Sequence, residues 1–174
     1  MKKKTIVLSI CSVFFLSMFS MPADSKEIIG WLEMIRVYPG NLKIRAKMDT
    51  GAKGSAINAF NVKKFERDNE TWVSFELRDY SKKAKTKHIF LEKKVVDSVR
   101  IKRKGGGLDE RLVVNMDICL GGVYKEIRMS LMDRTNFNYQ VLIGRVDLKN
   151  TFIVDPSATF TRKPLCKMPI EIDK

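Results

Sequence analysis

The residues best suited to chemistry in this chain lie in residues 48–59, which read Met-Asp-Thr-Gly-Ala-Lys-Gly-Ser-Ala-Ile-Asn-Ala. Asp49 offers a carboxylate at the end of a strand-like run, and Thr50 and Gly51 follow it directly. Two carboxylates held close together cannot both ionise cheaply, so one keeps a proton while the other takes a proton from water. Glycine at position 51 lets the backbone turn tightly beside the carboxylate. We therefore predict that Asp49, Thr50 and Gly51 form a catalytic group that activates water.

The elements that must position this group read as short strands separated by turn signals, a pattern typical of an all-β barrel. Residues 42–48 alternate apolar and basic side chains, which predicts a strand with one buried face. Gly105, Gly106 and Gly107 interrupt two apolar runs and predict the tip of a β-hairpin. Further strands are predicted over 28–37, 72–77, 88–99, 116–120, 123–131, 139–143 and 152–154, with short helical turns over 59–65 and 146–150.

Two further motifs lie downstream of the Asp-Thr-Gly triplet. Residues 141–145 read Val-Leu-Ile-Gly-Arg, and residues 152–156 read Phe-Ile-Val-Asp-Pro. Together with residues 48–59, they resemble the retropepsin-like aspartic endopeptidase family. Bacterial members of that family were named ATP-dependent zinc proteases, and they are associated with ATP-grasp glutamate ligases. The resemblance covers roughly residues 28–160 and implies a single-lobed acid-protease barrel with one or two short helical turns.

The resemblance also implies roles for residues around the triplet. Ala52 and the glycine hairpin tip, residues 105–107, would contact substrate, the tip acting as a flap that closes over it and excludes water. Gly144 would let two strands pack tightly behind the active-site loop. Arg145 would form a structural ion pair near a dimer contact rather than take part in the chemistry.

The number of carboxylates bears on the assembly. The sequence contains one Asp-Thr-Gly and no Asp-Ser-Gly. A single-lobed chain of this kind must take its second aspartate from a twin, so the resemblance implies a homodimer in which Asp49 comes from both subunits across a twofold axis. Asp155 is the alternative partner within the chain, although we expect it to cap the turn before Pro156.

The N-terminus predicts export. Three lysines precede an apolar run of signal-peptide length, and Ala23 is the expected cleavage position, which leaves residues 24–174 as one domain. The mature chain then carries 30 basic and 20 acidic residues, a net charge of +10. Such a surface favours acidic partners. We expect a periplasmic or secreted protein that binds a protein or peptide substrate, with no nucleic acid partner and no membrane insertion after processing.

Cofactors and cysteines give weaker indications. His88 is the one histidine, and the sequence shows neither a His-Glu-x-x-His pattern nor a P-loop, so we expect no metal and no nucleotide cofactor. Two cysteines remain after processing, Cys119 and Cys166. A disulfide between them and a buried free thiol at Cys119 are both consistent with the sequence.

Three functions follow from these observations. The first is an exported aspartic endopeptidase. The second is a non-catalytic module of the same fold that binds acidic peptides or envelope polymers through its basic loops. The third is a hydrolase of glutamate-type isopeptide bonds, suggested by the positive charge and by the ligase association that the resemblance implies.

Overall fold

The computed structural model describes residues 25–79, 87–102 and 106–166, without the side chain of Lys102. The predicted signal peptide over 1–23, Gly105 and most of the basic stretch at 82–87 lie outside these residues. Across the described ranges, no helix is long and apolar enough to cross a membrane.

The described chain is built almost entirely of β-strands, as predicted. A short helix, α1 (Arg145–Leu148), connects the last two strands. The strands are β1 (Glu27–Tyr38), β2 (Leu42–Asp49), β3 (Ser55–Asn58), β4 (Phe60–Arg67), β5 (Glu70–Arg78), β6 (His88–Lys102), β7 (Leu108–Leu120), β8 (Val123–Met132), β9 (Val141–Gly144) and β10 (Phe152–Thr159).

Six of these strands close into a barrel in the order β1, β2, β9, β3, β8 and β7. Closure depends on the length of β1. Its C-terminal half pairs with β2 along one edge and with β7 along the other, from Ile35 opposite Leu120 to Tyr38 opposite Asp117. The N-terminal half of β1 pairs in parallel with β10, from Glu27 opposite Phe152. The predicted all-β barrel is therefore confirmed.

The alternation in β2 explains how the barrel positions Asp49. Four side chains of this strand, at positions 42, 44, 46 and 48, are at most 5% exposed and fill the barrel core. The intervening side chains, Lys43, Arg45 and Lys47, point to the outer face. Because side chains alternate along a strand, Asp49 shares the outer face with Lys47.

A second layer of strands continues from β6. The first half of β6 pairs with β5, and its second half forms a long hairpin with β7, with Gly106 and Gly107 just before the start of β7. Residues 59–65, predicted as a helical turn, instead lie mostly in β4. The prediction was wrong because Asp68 and Asn69 both adopt positive φ, 54° and 59°, in the two-residue turn that pairs β4 with β5.

The residues after β10 run back along β1 and are held by a buried carboxylate. Glu33 is fully buried, and its Oε1 accepts hydrogen bonds from the N–H of Gly30 at 2.7 Å and from the N–H and Oγ1 of Thr161 at 2.9 and 2.6 Å. The N–H of Arg162 donates to Oε2 at 3.4 Å. These bonds compensate the loss of hydration that burial of a carboxylate entails.

The same C-terminal segment ends at a disulfide. Cys166 is bonded to Cys119 at the end of β7, with a Cα–Cα distance of 5.8 Å. The N–H of Leu165 donates to the carbonyl of Gly121 at 2.9 Å, which holds the segment against the β7–β8 turn. Of the two states that the sequence allowed for these cysteines, the structure shows the disulfide.

Candidate active site

The site is centred on the turn that follows β2. The Oδ1 atom of Asp49 accepts a hydrogen bond from the N–H of Gly51 at 3.1 Å, and the N–H of Ala52 donates to the main-chain carbonyl of Asp49 at 3.2 Å. The Oδ2 atom lies 3.2 Å from Nζ of Lys47. The side chain of Asp49 is 24% exposed, so it is held by its neighbours and still reachable from solvent.

These contacts determine the charge of the carboxylate. Partial burial raises the pKa of Asp49, but the hydrogen bond and charge of Lys47 and the N–H groups of Gly51 and Ala52 lower it, and the resulting pKa lies below the ordinary 3.8. Asp49 in a single chain is therefore ionised at neutral pH and suited to accept a proton from water. A proton donor must come from a second group.

The turn is supported from behind by the end of β9. β2 and β9 run parallel, with Asp49 opposite Gly144. A Cβ atom on Gly144 would lie 2.4 Å from the carbonyl oxygen of Gly54, so only glycine permits this approach. The next two N–H groups, of Arg145 and Val146, donate to carbonyls of the same turn at 2.9 and 3.2 Å. Gly144 and the two residues after it therefore join the turn to the end of β9 through main-chain contacts.

Ser55 and Asp147 extend this support, and the sequence analysis did not identify them. The Oγ of Ser55 donates to Oδ2 of Asp147 at 2.5 Å and accepts from the N–H of Gly144 at 2.9 Å. Ser55 is 4% exposed, and Asp147 lies 92 residues away in α1. The small residues after Asp-Thr-Gly were a usable signal for Ser55, whereas nothing local in the sequence pointed to Asp147.

Arg145 contacts the turn through a hydrogen bond to its main chain. Its Nη1 donates to the carbonyl of Gly51 at 3.0 Å. Within the described residues of this single chain, no ion pair includes Arg145, and the ion pair expected near a dimer contact stays a prediction. The guanidinium has this geometry because α1 begins at Arg145, directly after the glycine that packs on the turn.

A cationic cluster lies near Asp49, and its members were also missed. Arg134 is 6% exposed, its Nε donates to the carbonyl of Tyr139 at 3.0 Å, and its guanidinium lies 4.5 Å from the ring centroid of Phe137. Burial and then the charge of Arg111 lower the pKa of Arg134, while the negative charge of Asp49 raises it. No local sequence pattern links Arg134 with Asp49, because Arg134 follows β8 and Asp49 ends β2. Only the fold places their charges close enough to interact.

The two guanidinium groups share a neighbour but differ in their partners. Nη1 of Arg134 and Nη1 of Arg111 lie 3.7 and 3.4 Å from the sulfur of Met132. Arg111 is paired with Asp109 at 3.0 Å. Among the ion pairs of the described residues, none involves Arg134. The arrangement therefore presents a buried cation near the proposed reaction centre.

The remaining predicted site residues lie at the hairpin tip, on the Asp49 turn and in β10. Gly106 and Gly107 have φ values of 89° and 83°, and a Cβ on either would meet no heavy atom within 4 Å, as expected for an open hairpin tip. Thr50 is exposed on the turn. The Oδ1 of Asp155 accepts hydrogen bonds from the N–H and Oγ of Ser157 at 2.8 and 2.6 Å, so this carboxylate stabilises its own turn.

The described ranges contain no cluster of three or more His, Cys, Asp or Glu side chains that could hold a metal ion. His88 contacts the nearly buried carboxylate of Glu76 through Nδ1, and that carboxylate is also hydrogen-bonded to Arg78 and Asn61. His88 therefore belongs to a polar cluster of the outer sheet.

Comparisons with known proteins agree with this geometry. A family model described as RimB-like, retropepsin-like aspartic endopeptidase RimB, matches residues 28–164. Proteins named probable alpha-L-glutamate ligase are similar over 140 residues, at 38% identity in Shewanella halifaxensis and 39% in Shewanella pealeana. Each alignment covers 79% of this chain and 30% of the relative, so the chain spans about a third of the length of these proteins.

A solved structure is also similar. It is a crystal structure of Lpg0085, a Legionella pneumophila protein of unknown function, and it matches with a TM-score of 0.66 and 29% sequence identity. The alignment covers 80% of this chain and all of the Legionella chain.

Proposed function

From the premise that the chain belongs to the RimB-like family of retropepsin-like aspartic endopeptidases, we propose that it hydrolyses peptide bonds with a pair of Asp49 carboxylates contributed by two copies. The observation that carries the proposal is the turn after β2. It holds one ionised, solvent-reachable carboxylate by a backbone N–H at 3.1 Å and packs against Gly144 from behind.

The chemistry follows from bringing two such turns together. Two neighbouring Asp49 carboxylates repel each other, so the pair retains one proton. The ionised member takes a proton from a water molecule as that water attacks the scissile carbonyl carbon. The protonated member donates a hydrogen bond to the carbonyl oxygen and stabilises its developing negative charge. The C–N bond then breaks as the leaving amine takes a proton from the carboxylate pair, which returns the pair to its singly protonated state.

A homodimer accounts for the exposure of the turn. Thr50 and Gly51 are exposed in the single chain although they directly follow a buried strand. A twofold axis beside them would bring the two Asp49 side chains together and would let each Thr50 hydroxyl bond across the axis. The sequence contains one Asp-Thr-Gly. In a homodimer, Asp49 of the second copy supplies the second carboxylate, so the mechanism needs no other catalytic acid from the same chain.

Export is part of the proposal. Residues 1–23 read as a signal peptide, and the bond between Cys119 and Cys166 fits an oxidising compartment such as the periplasm or the exterior. We assign no cofactor, because the carboxylate pair supplies both the base and the acid.

The test is cleavage of a mixed-sequence peptide library by the purified protein and by Asp49→Asn, between about pH 4 and pH 8, with and without a chelator. Asparagine keeps the shape of the side chain but cannot accept the proton, so we expect a loss of about 10²–10⁴-fold or more. Full activity in Asp49→Asn would refute the proposal. Sedimentation of the active protein as a monomer would refute the shared pair.

A narrower candidate is hydrolysis of bonds next to glutamate, including isopeptide bonds. It is favoured by the buried cation Arg134 near Asp49 and by relatives whose names refer to alpha-L-glutamate. The comparison would use poly-α-glutamate, a γ-linked glutamate peptide and a neutral peptide of equal length. Cleavage of the acidic substrates alone, reduced by Arg134→Met, supports this candidate. Binding of poly-α-glutamate without cleavage, unchanged in Asp49→Asn, supports the non-catalytic module instead.

A further inference from the structure

The Asp49 carboxylate has a cationic partner on its own strand. Lys47 lies two residues before Asp49 on the outer face of β2, and its Nζ is 3.2 Å from Oδ2. Oδ1 is already held by the N–H of Gly51. The Lys47 side chain is 40% exposed, so the strand places its ammonium group at the carboxylate without burying it.

We propose that Lys47 is a positioning residue that sets the pH range of the reaction by holding an ammonium group against each Asp49 carboxylate. The inference rests on the proposed function, since it assumes that two Asp49 side chains form the working pair. It goes beyond that function because a pair of carboxylates can work without a neighbouring ammonium group. The role of Lys47 is therefore an additional property of this chain.

The physical reason lies in how a carboxylate pair holds its proton. Two negative charges at short distance bind one proton tightly, which separates the two titration steps of the pair. A positive charge beside each carboxylate offsets part of this repulsion and favours the ionised forms. Both titration steps therefore move to lower pH, and the interval in which the pair carries one proton moves with them.

Other charged groups surround Asp49, but their positions differ from that of Lys47. Arg134 interacts with Asp49 through its charge, without a hydrogen bond to the carboxylate among the described residues, and it lies beside Arg111. Arg145 binds the carbonyl of Gly51 rather than the carboxylate. Lys53 is exposed on the same turn, and no hydrogen bond between its side chain and Asp49 is present among the described residues.

A negative charge lies on α1 at Asp147, and Nζ of Lys125 donates to the main-chain carbonyl of this residue at 3.0 Å. Asp147 is hydrogen-bonded to Ser55, on the side of the turn where α1 packs. Within the described chain, Lys47 is the cation whose side chain bonds directly to an Asp49 carboxylate oxygen. Removal of the Lys47 charge should therefore change the protonation of the Asp49 carboxylate more directly than removal of any other charge named above.

The experiment compares Lys47→Met with Lys47→Arg, which keeps the charge, and with Lys43→Met, which removes an exposed lysine from the same face of β2. The first readout is the pH dependence of kcat/KM on a peptide that the wild type cleaves. We expect both limbs of the profile to move to higher pH in Lys47→Met, to stay close to the wild type in Lys47→Arg, and to be unchanged in Lys43→Met.

A loss of activity in Lys47→Met with both limbs unmoved would overturn the proposal, because a purely structural role lowers the rate without moving the profile. A second readout needs no substrate. The side-chain carboxyl ¹³C resonance of Asp49, assigned by its absence in Asp49→Asn, is followed through a pH titration of each variant. We expect the Asp49 midpoint to rise in Lys47→Met, and an unchanged midpoint would refute the inference.

The two proposals fail in different ways. If Asp49→Asn is as active as the wild type, the carboxylate mechanism fails, whatever the Lys47 variants do. If Asp49→Asn is inactive and the Lys47→Met profile coincides with that of the wild type, the carboxylate mechanism stands and the role of Lys47 is refuted.

Discussion

Gly144→Ala tests whether the close contact behind the Asp49 turn is needed for both stability and activity. The added Cβ would lie 2.4 Å from the carbonyl oxygen of Gly54 and 2.5 Å from its carbonyl carbon. Ordinary van der Waals contact begins near 3.4 Å, so the two segments must separate by about 1 Å. Both are main chain, and β9 is hydrogen-bonded to β2 and β3 on either side. The turn, rather than β9, is therefore the part that must move.

The cost can be worked from this geometry. Overpacking a well-packed interior typically costs about 1–3 kcal/mol, and the absence of a flexible side chain at the contact puts this case near about 3 kcal/mol. For a chain of this size, that corresponds to a fall in Tm of about 6–12 °C. A displacement of about 1 Å at a reacting group costs on the order of 10²-fold in rate. We therefore expect a folded, less stable protein with strongly reduced activity.

The assay is thermal unfolding together with kcat/KM, at one fixed protein concentration because a dimer gains stability with concentration. Gly54→Ala is the matched control. It lies on the other side of the same contact, its own Cβ would meet nothing within 4 Å, and its φ is not in the left-handed region. It should leave Tm unchanged or slightly raised. Equal Tm values for the two variants would refute the packing argument, and full activity in a destabilised Gly144→Ala would refute the expected movement of the turn.

Three further predictions concern stability. Replacing Cys119 and Cys166 by serine opens a loop that closes over 47 residues, which should lower the unfolding free energy by about 4 kcal/mol; equal melting of the variant and the oxidised wild type would contradict this. The hydrogen bond from Arg78, with smaller contributions from its other partners, lowers the pKa of Glu76 from 4.5 to about 2. Because the folded pKa is the lower one, the contribution of Glu76 is complete above about pH 4.5 and is lost as the pH falls towards 2. Glu76→Gln should therefore flatten the acid dependence of urea unfolding over this interval, and an unaltered slope would count against the contact. Ser55→Ala removes the acceptor of the buried N–H of Gly144, and it should lower the unfolding free energy measured with denaturant by about 1–3 kcal/mol. An unshifted denaturation midpoint would show that another group accepts this N–H.

Much of the barrel could be predicted from local pattern. The alternation in β2 is a period-two signal, and the structure places its apolar side chains in the core and its basic side chains outside. The glycine breaks at 105–107 and 121–122 mark the β6–β7 and β7–β8 hairpins. The prediction of a helical turn over 59–65 was wrong because the extended conformation of β4 depends on its pairing with β5 through the turn at Asp68 and Asn69. The residues of β4 alone do not indicate this pairing.

The candidate site divides in the same way. Asp49, Gly51 and Gly144 were predictable because a tight turn and a close backbone approach demand particular residue types, and these types recur in motifs. Lys47 was within reach of the same reasoning, since residues two apart on a strand share a face.

Only the tertiary structure could decide the remaining contacts. Arg134 and Asp49 interact through their charges although they are 85 positions apart in the sequence, and Asp147 contacts Ser55 across 92 positions. Cys166 meets Cys119 because the C-terminal segment is held along β1 by Glu33. The sequence by itself determined most of the strands, the turn after β2 and the family. The charges around the carboxylate were decided by barrel closure, because electrostatic and hydrogen-bonding partners depend on distance in space rather than on separation along the chain.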